Sequence, residues 1–182
     1  MRDLSLNLLD IAENSIDANS SLIKISVTIE EKSVVLLVED DGCGINSEIL
    51  DKVSSPFVST KSNKNRGLGL SLIKEDAEST GGSFSISSQE GEGTTVQTVF
   101  LLNSQRQIFL GDIGATIAVL LSDCKKVDIE FNYSANGKIF SFSTVEFRKV
   151  YRDLELDDPK TIVLVRDMIR ENINNINGGL SI

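Results

Sequence analysis

The sequence predicts an α/β fold, and three observations carry that reading. Helical and strand periodicities are interleaved through the first hundred residues. One strand, Ser33–Val38, is a continuous apolar run, the mark of a strand buried on both faces. The candidate strands around it are joined by tight glycine or asparagine turns.

Residues 3–18 read as a helix with Leu4, Leu8, Ile11, Ala12, Ser15 and Ile16 on one side and Asp10, Asn14 and Asp17 on the other. Leu22–Ile29 alternates as a strand, Ser33–Val38 follows, and the chain turns through glycines after Asp40. Ser47–Val53 is expected as a short helix and residues 54–66 as a loop. A helix runs from Leu68 to about Thr80 and stops at Gly81-Gly82. Ser83–Ser88 and Thr94–Leu102 are strands joined at Glu90-Gly91-Glu92-Gly93.

The style of the chain breaks at Asn103–Gln107, which divides residues 1–103 from 108–182. Beyond it, Asp112–Leu121 reads as a buried helix and Val127–Tyr133 as a strand. Asn136-Gly137 is a hairpin turn into Ile139–Ser143, and Ser143 with Glu146 has capping-box spacing for a helix to about Arg152. Asp158-Pro159 starts a last helix with apolar Ile162, Val165, Ile169, Ile173 and Ile176, ended by Gly178-Gly179. No catalytic motif is evident in 108–182. Its expected role is docking to a partner or forming a homodimer, with the apolar run around Ile117–Leu121 linking it to the first unit.

A net charge of −9 argues against wrapping nucleic acid or docking on an anionic membrane face. No run is long and apolar enough to span a bilayer, and no secretory leader pattern opens the chain. Cys43 and Cys124 lie far apart, as free thiols in a reducing cytoplasm would. The chain contains no histidine, which removes imidazole catalysis and any histidine of its own to phosphorylate.

The chemistry concentrates in Val38-Glu39-Asp40-Asp41-Gly42-Cys43-Gly44-Ile45 and Arg66-Gly67-Leu68-Gly69-Leu70. A carboxylate at Asp40 can accept a hydrogen bond from an exocyclic amine such as adenine's, while Gly42 and Gly44 let backbone approach a ring closely. The alternative is a plain Asp-Gly turn. Gly67, Leu68 and Gly69 open a helix, whose N–H groups favour phosphate, or the glycines simply permit close packing. Lys61, Lys64 and Arg66 can draw and cover a polyphosphate, or form a solvated basic loop. Asn14 offers a neutral oxygen suited to Mg²⁺ beside phosphates, and Asp10 can orient or deprotonate a water or hydroxyl. The polar face of that helix can equally be a solvated surface. No Walker motif is present.

Together the Asn-bearing helix, Asp-x-Gly-x-Gly, Ser55-Pro56-Phe57, Gly67-Leu68-Gly69-Leu70 and Gly93-Thr94 resemble the GHKL ATPases: DNA gyrase, heat-shock chaperone ATPases, histidine kinases and mismatch-repair proteins. Glu13-Asn14-Ser15-Ile16-Asp17-Ala18 and Asp41-Gly42-Cys43-Gly44-Ile45 look most like the mismatch-repair branch, and Ser55-Pro56-Phe57, Gly67-Leu68-Gly69-Leu70 and Gly91-Glu92-Gly93-Thr94-Thr95 are closer to histidine and anti-sigma serine kinases. The resemblance covers residues 3–102. It implies a two-layer α/β sandwich, a mixed sheet with helices on one face, to which 108–182 adds a small α/β appendage. It also implies ATP and Mg²⁺ as ligands, with Asn14 on the metal, Asp40 on adenine, Gly42 and Gly44 shaping the pocket, Thr94 near the purine, and Gly67 and Gly69 bordering the phosphate lid. Two departures stand out: Asp10 lies where hydrolysing members carry Glu, and Asn65 where a glycine is usual.

The function this implies is Mg-dependent ATP binding with transfer of the γ-phosphate to a partner protein in a signalling pathway. The helix starting at residue 3 leaves no upstream dimerisation domain, so the acceptor is expected on another protein. The alternatives are a non-catalytic module that senses ATP against ADP and a slow conformational ATPase.

Overall fold

The computed structural model describes residues 3–47, 50, 69–102, 108–123 and 127–178. Helix α1 (Leu4–Asp17) starts where Asp3 accepts the Leu6 N–H at 2.9 Å, a side-chain cap for an otherwise orphan donor. Strands β1 (Leu22–Ile29) and β2 (Ser33–Asp40) follow as a hairpin, then α2 (Gly69–Ser79), β3 (Ser83–Gln89) and β4 (Gly93–Leu101). Helix α3 (Ile113–Asp123), β5 (Asp128–Ala135), β6 (Lys138–Ser143), α4 (Thr144–Val150) and α5 (Pro159–Asn177) complete the chain. The local signals act as expected. Asn136 and Gly137 turn with φ of 54° and 71°. Ser143 caps α4, and Asp158 accepts from the N–H groups of Lys160 and Thr161 ahead of α5.

All six described strands form one sheet in the order β3-β4-β2-β1-β5-β6. It is mixed: β1 pairs in parallel with β5, and every other neighbour is antiparallel. Register aligns the inward side chains across the strands. Phe100, Val34, Ile29 and Ala135 lie toward one end of this face, and Val96, Val38, Ile25 and Phe131 toward the other. These residues share a single apolar core with Leu8 and Ile11 of α1, Ile73 and Ala77 of α2, Ile117 and Leu120 of α3, and Val165 and Ile169 of α5. The helices therefore cover one face, as the two-layer reading expects.

Among the described residues, no helix covers the other face. Val35 and Leu37 are only half-buried there, beside exposed Lys24 and Gln97, so β2 is not enclosed on both faces as its apolar run suggested. The residues beyond 108 are continuous with the first unit: β5 hydrogen-bonds along β1, and the core runs through both. The break in style at 103–107 divides the chain without dividing the core. The buried face of Ile117–Leu121 makes the expected link.

Candidate functional site

Strand β2 ends at Asp40, between Ile23 of β1 and Thr94 of β4. A buried hydroxyl and a backbone amide fix its carboxylate: Ser15 donates to Oδ2 at 2.7 Å and the Gly42 N–H to Oδ1 at 2.9 Å. A carboxylate has about four lone-pair sites, so both oxygens keep capacity for a further donor. Asp40 is half-buried.

The glycine turn beyond is held from three sides. The Cys43 N–H donates to the Ala18 carbonyl at 2.9 Å, seating the turn on the C-terminus of α1. A Cβ on Gly42 would come within 2.8 Å of the Ala18 Cβ and 2.9 Å of Asp40 Oδ1. Gly44 has φ of 66°, and a Cβ there would collide with the Gln89 carbonyl. The two glycines thus let α1, β2 and the β3–β4 turn converge without intervening side chains. Ser88 ties that convergence together: its hydroxyl accepts from the Ile45 N–H at 2.8 Å and lies 2.9 Å from Thr94 Oγ1.

Asp41 turns the other way. It accepts from the Ser21 hydroxyl and from the Ser21 and Leu22 N–H groups at 2.7 and 2.8 Å, latching the turn to the start of β1. The Ser21 hydroxyl, helped by those amides, holds its carboxyl below the usual carboxylate range.

Asp10 and Asn14 lie one turn apart on α1, both half-exposed. A Cβ on Gly69, the first residue of α2, would stand 3.1 Å from the Asp10 Cβ, so the second glycine box opens its helix directly against Asp10. Asp10, Asn14, Asp40, Gly42, Gly44, Thr94 and Gly69 are thereby arranged around the strand ends and the facing turns of α1 and α2. Lys61, Arg66, Gly67 and Leu68 lie outside the described residues, as do Pro56-Phe57 and most of Ser47–Val53.

Sequence reasoning passed over Ser15, which it set among the apolar residues of α1, yet Ser15 orients the Asp40 carboxylate. The available signal was a lone hydroxyl within an otherwise apolar stripe. Gly93 entered as part of a turn and of the Gly93-Thr94 motif, with no packing role. A Cβ there would strike the Asp40 carbonyl, so it admits the close pairing of β4 with the end of β2.

A family model described as "Histidine kinase-, DNA gyrase B-, and HSP90-like ATPase" matches residues 2–104, more than half of the chain. Sensor histidine kinase ZraS of Escherichia coli (strain K12) is 35% identical over 102 residues, covering 55% of this chain and 22% of that protein. Sporulation kinase D of Bacillus subtilis (strain 168) is 35% identical over 91 residues, covering 49% and 18%. The chain spans about a fifth of the length of these curated relatives. Among solved structures, the N-terminal domain of a DNA repair protein superposes with a TM-score of 0.55 at 18% identity, over 79% of this chain and 53% of that one. That likeness is one of fold. It extends over a larger share of the chain than the family match, and so into the C-terminal elements. Among the described residues, no helix is long and apolar enough to cross a membrane.

Proposed function

The chain belongs to the histidine kinase-, DNA gyrase B- and HSP90-like ATPase family, and from that premise we propose that it binds MgATP and passes the γ-phosphate to a partner protein in a cytoplasmic signalling pathway. The observation that carries this reading is Asp40: a carboxylate held by one hydroxyl and one amide, with lone pairs to spare, at the mouth of a glycine-walled strand end.

The residues present suit the nucleotide. Asp40 accepts the exocyclic amine of adenine, Gly42 and Gly44 keep side chains out of the plane of the base, and Thr94 borders the purine. The side-chain oxygen of Asn14 is a neutral ligand of the kind Mg²⁺ accepts beside phosphate oxygens. Among the described residues no cluster of three His, Cys, Asp or Glu could hold a metal. A single Asn ligand accordingly suits an ion that arrives with its nucleotide. Gly67, Leu68 and Gly69 border the phosphates, and Lys61 and Arg66 neutralise them. Bound magnesium supplies charge neutralisation on the transferring phosphoryl group, and the protein's share is positioning. Asp10 orients the attacking hydroxyl or water. The sequence contains no histidine, so a histidine acceptor would lie outside it, and a serine acceptor on a partner is equally compatible.

A second reading, a regulatory module that senses ATP against ADP without turnover, is favoured by Asp10 itself. Its carboxylate is one methylene shorter than Glu and stands against the start of α2, which restricts its reach.

Calorimetric titration of MgATP into the chain, beside Asp40→Asn, tests the site. Saturable binding lost in the variant is expected, and absence of binding to the wild type overturns the proposal. Label from γ-labelled ATP recovered on protein after mixing with cell extract supports transfer. Binding without any label moving favours the sensing module.

A further inference from the structure

We propose that the segment 108–112, with the groove it borders, is a control element of the nucleotide site, acting through axial displacement of α1. This rests on the ATP-binding reading and adds its regulation. Helix α1 is one rigid rod of 14 residues, about 21 Å at 1.5 Å per residue. Its C-terminal half carries Asn14, and Ser15 on Asp40. Its N-terminal end is held by the chain that leaves the family-matched region: the Leu4 N–H donates to the Phe109 carbonyl at 2.8 Å and the Ser5 N–H to the Leu110 carbonyl at 3.0 Å. From α3, Thr116 Oγ1 adds a bond to the Ser5 carbonyl at 3.1 Å. Residues more than a hundred positions away thus satisfy the first turn of the helix that bears the site.

The segment has no slack toward α1. Gly111 has φ of 65°, and a Cβ there would strike the Ser5 hydroxyl and stand 2.6 Å from the Asp3 carboxyl carbon. On the far side the next residues lock to α5. Asp112 caps α3 through the Ala115 N–H at 2.9 Å and pairs with both Nε and Nη2 of Arg170. Gly114 lies so close to α5 that a Cβ would come within 2.8 Å of the Arg166 carbonyl. An axial movement of α1 is therefore passed to the segment and to the Asp112–Arg170 pair.

The segment also has somewhere to go. A cavity of about 540 Å³ lies between it and the C-terminal half of α5, lined by Phe109, Gly111, Arg170, Ile173 and Asn177. Phe109 stands at this cavity 54% exposed. The present seat of α1 leaves one polar atom unsatisfied: Asn7, 2% exposed, has a side-chain oxygen without a partner. A buried acceptor in that state is a cost to the present seat, one that a shift bringing it a donor would relieve. A rod held tightly at both ends, an empty space beside one of them and an unsatisfied group in the first turn are what the coupling works through.

The test uses the full chain with Phe109→Trp, since the sequence contains no tryptophan and the new indole is its only one. With MgATP binding followed by calorimetry, the indole emission is expected to shift along the same saturation curve, and the shift to vanish when Asp40→Asn is added. Reciprocally, Arg170→Met, which frees Asp112, is expected to change the ATP dissociation constant at least threefold. Saturable calorimetric binding with unmoved emission and an unchanged constant in Arg170→Met overturns the coupling and leaves the ATP site standing. No calorimetric binding at all overturns both.

Discussion

Asp40 and Asp112 sit near opposite ends of α1, and the structure treats the two carboxylates in opposite ways. Asp40 receives a serine hydroxyl and a glycine amide, both neutral, beside two glycines. Asp112 receives the Arg170 guanidinium on both oxygens and a helix N–H besides. Arg170 holds the Asp112 carboxyl below its usual range, so its charge is spent on the fold. The charge at Asp40 is oriented without being neutralised. A carboxylate held by neutral donors keeps acceptor capacity to spare, whereas one closed by arginine uses it within the fold.

Four changes would break or sharpen that contrast. The largest effect is expected from Ile169→Ala in α5, fully buried in the shared core. A loss of about 2–5 kcal/mol, read from urea denaturation, follows from the cavity it leaves. Unfolding should remain a single transition; two transitions would mean that the C-terminal elements form a core of their own. Next comes Asp40→Asn, expected to weaken MgATP binding about a hundredfold, since hydrogen bonds to charged groups are worth about 1.5–3 kcal/mol. Binding retained within a fewfold would strip Asp40 of its assigned role.

Asp10→Glu should raise phosphate release about tenfold if reach alone limits water activation, which a coupled phosphate assay reads. An unchanged rate would support the sensing module. The smallest effect belongs to Asp112→Asn, because the Arg170 pair is more than a third exposed and such pairs contribute about 0–1 kcal/mol. Its sign with pH is fixed. A carboxyl lowered in the folded state contributes fully above the ordinary value of about 3.9 and loses that contribution as pH falls through the folded value. The gap between wild type and variant should therefore close in acid. A gap that widened below pH of about 4 would contradict the ion pair.

Much of the fold could be read before any coordinates. The Asn136-Gly137 turn, the Ser143 and Asp158 caps and the apolar stripe of α5 from Val165 to Ile176 all emerge as written. In the candidate site, the segments of the first glycine box, Gly69 and the polar face of α1 do come together in space. The half-buried face of β2 was not legible: Val35 and Leu37 look the same in sequence whether a second layer covers them or not. Nor was the tie from Ser15 to Asp40. A buried serine on an apolar face resembles any small core residue until the strand it meets is known.

The sequence by itself determined which of the described segments become helix, strand and turn. Those choices rest on periodicity, capping and backbone freedom over a few neighbouring positions. Tertiary structure alone decided that β5 pairs in parallel with β1, that residues 108–112 hold the first turn of α1, and that Ser15 orients Asp40. These contacts join residues from 25 to more than a hundred positions apart. Their partners are selected by how apolar faces bury against one another and by which polar groups are then left to satisfy.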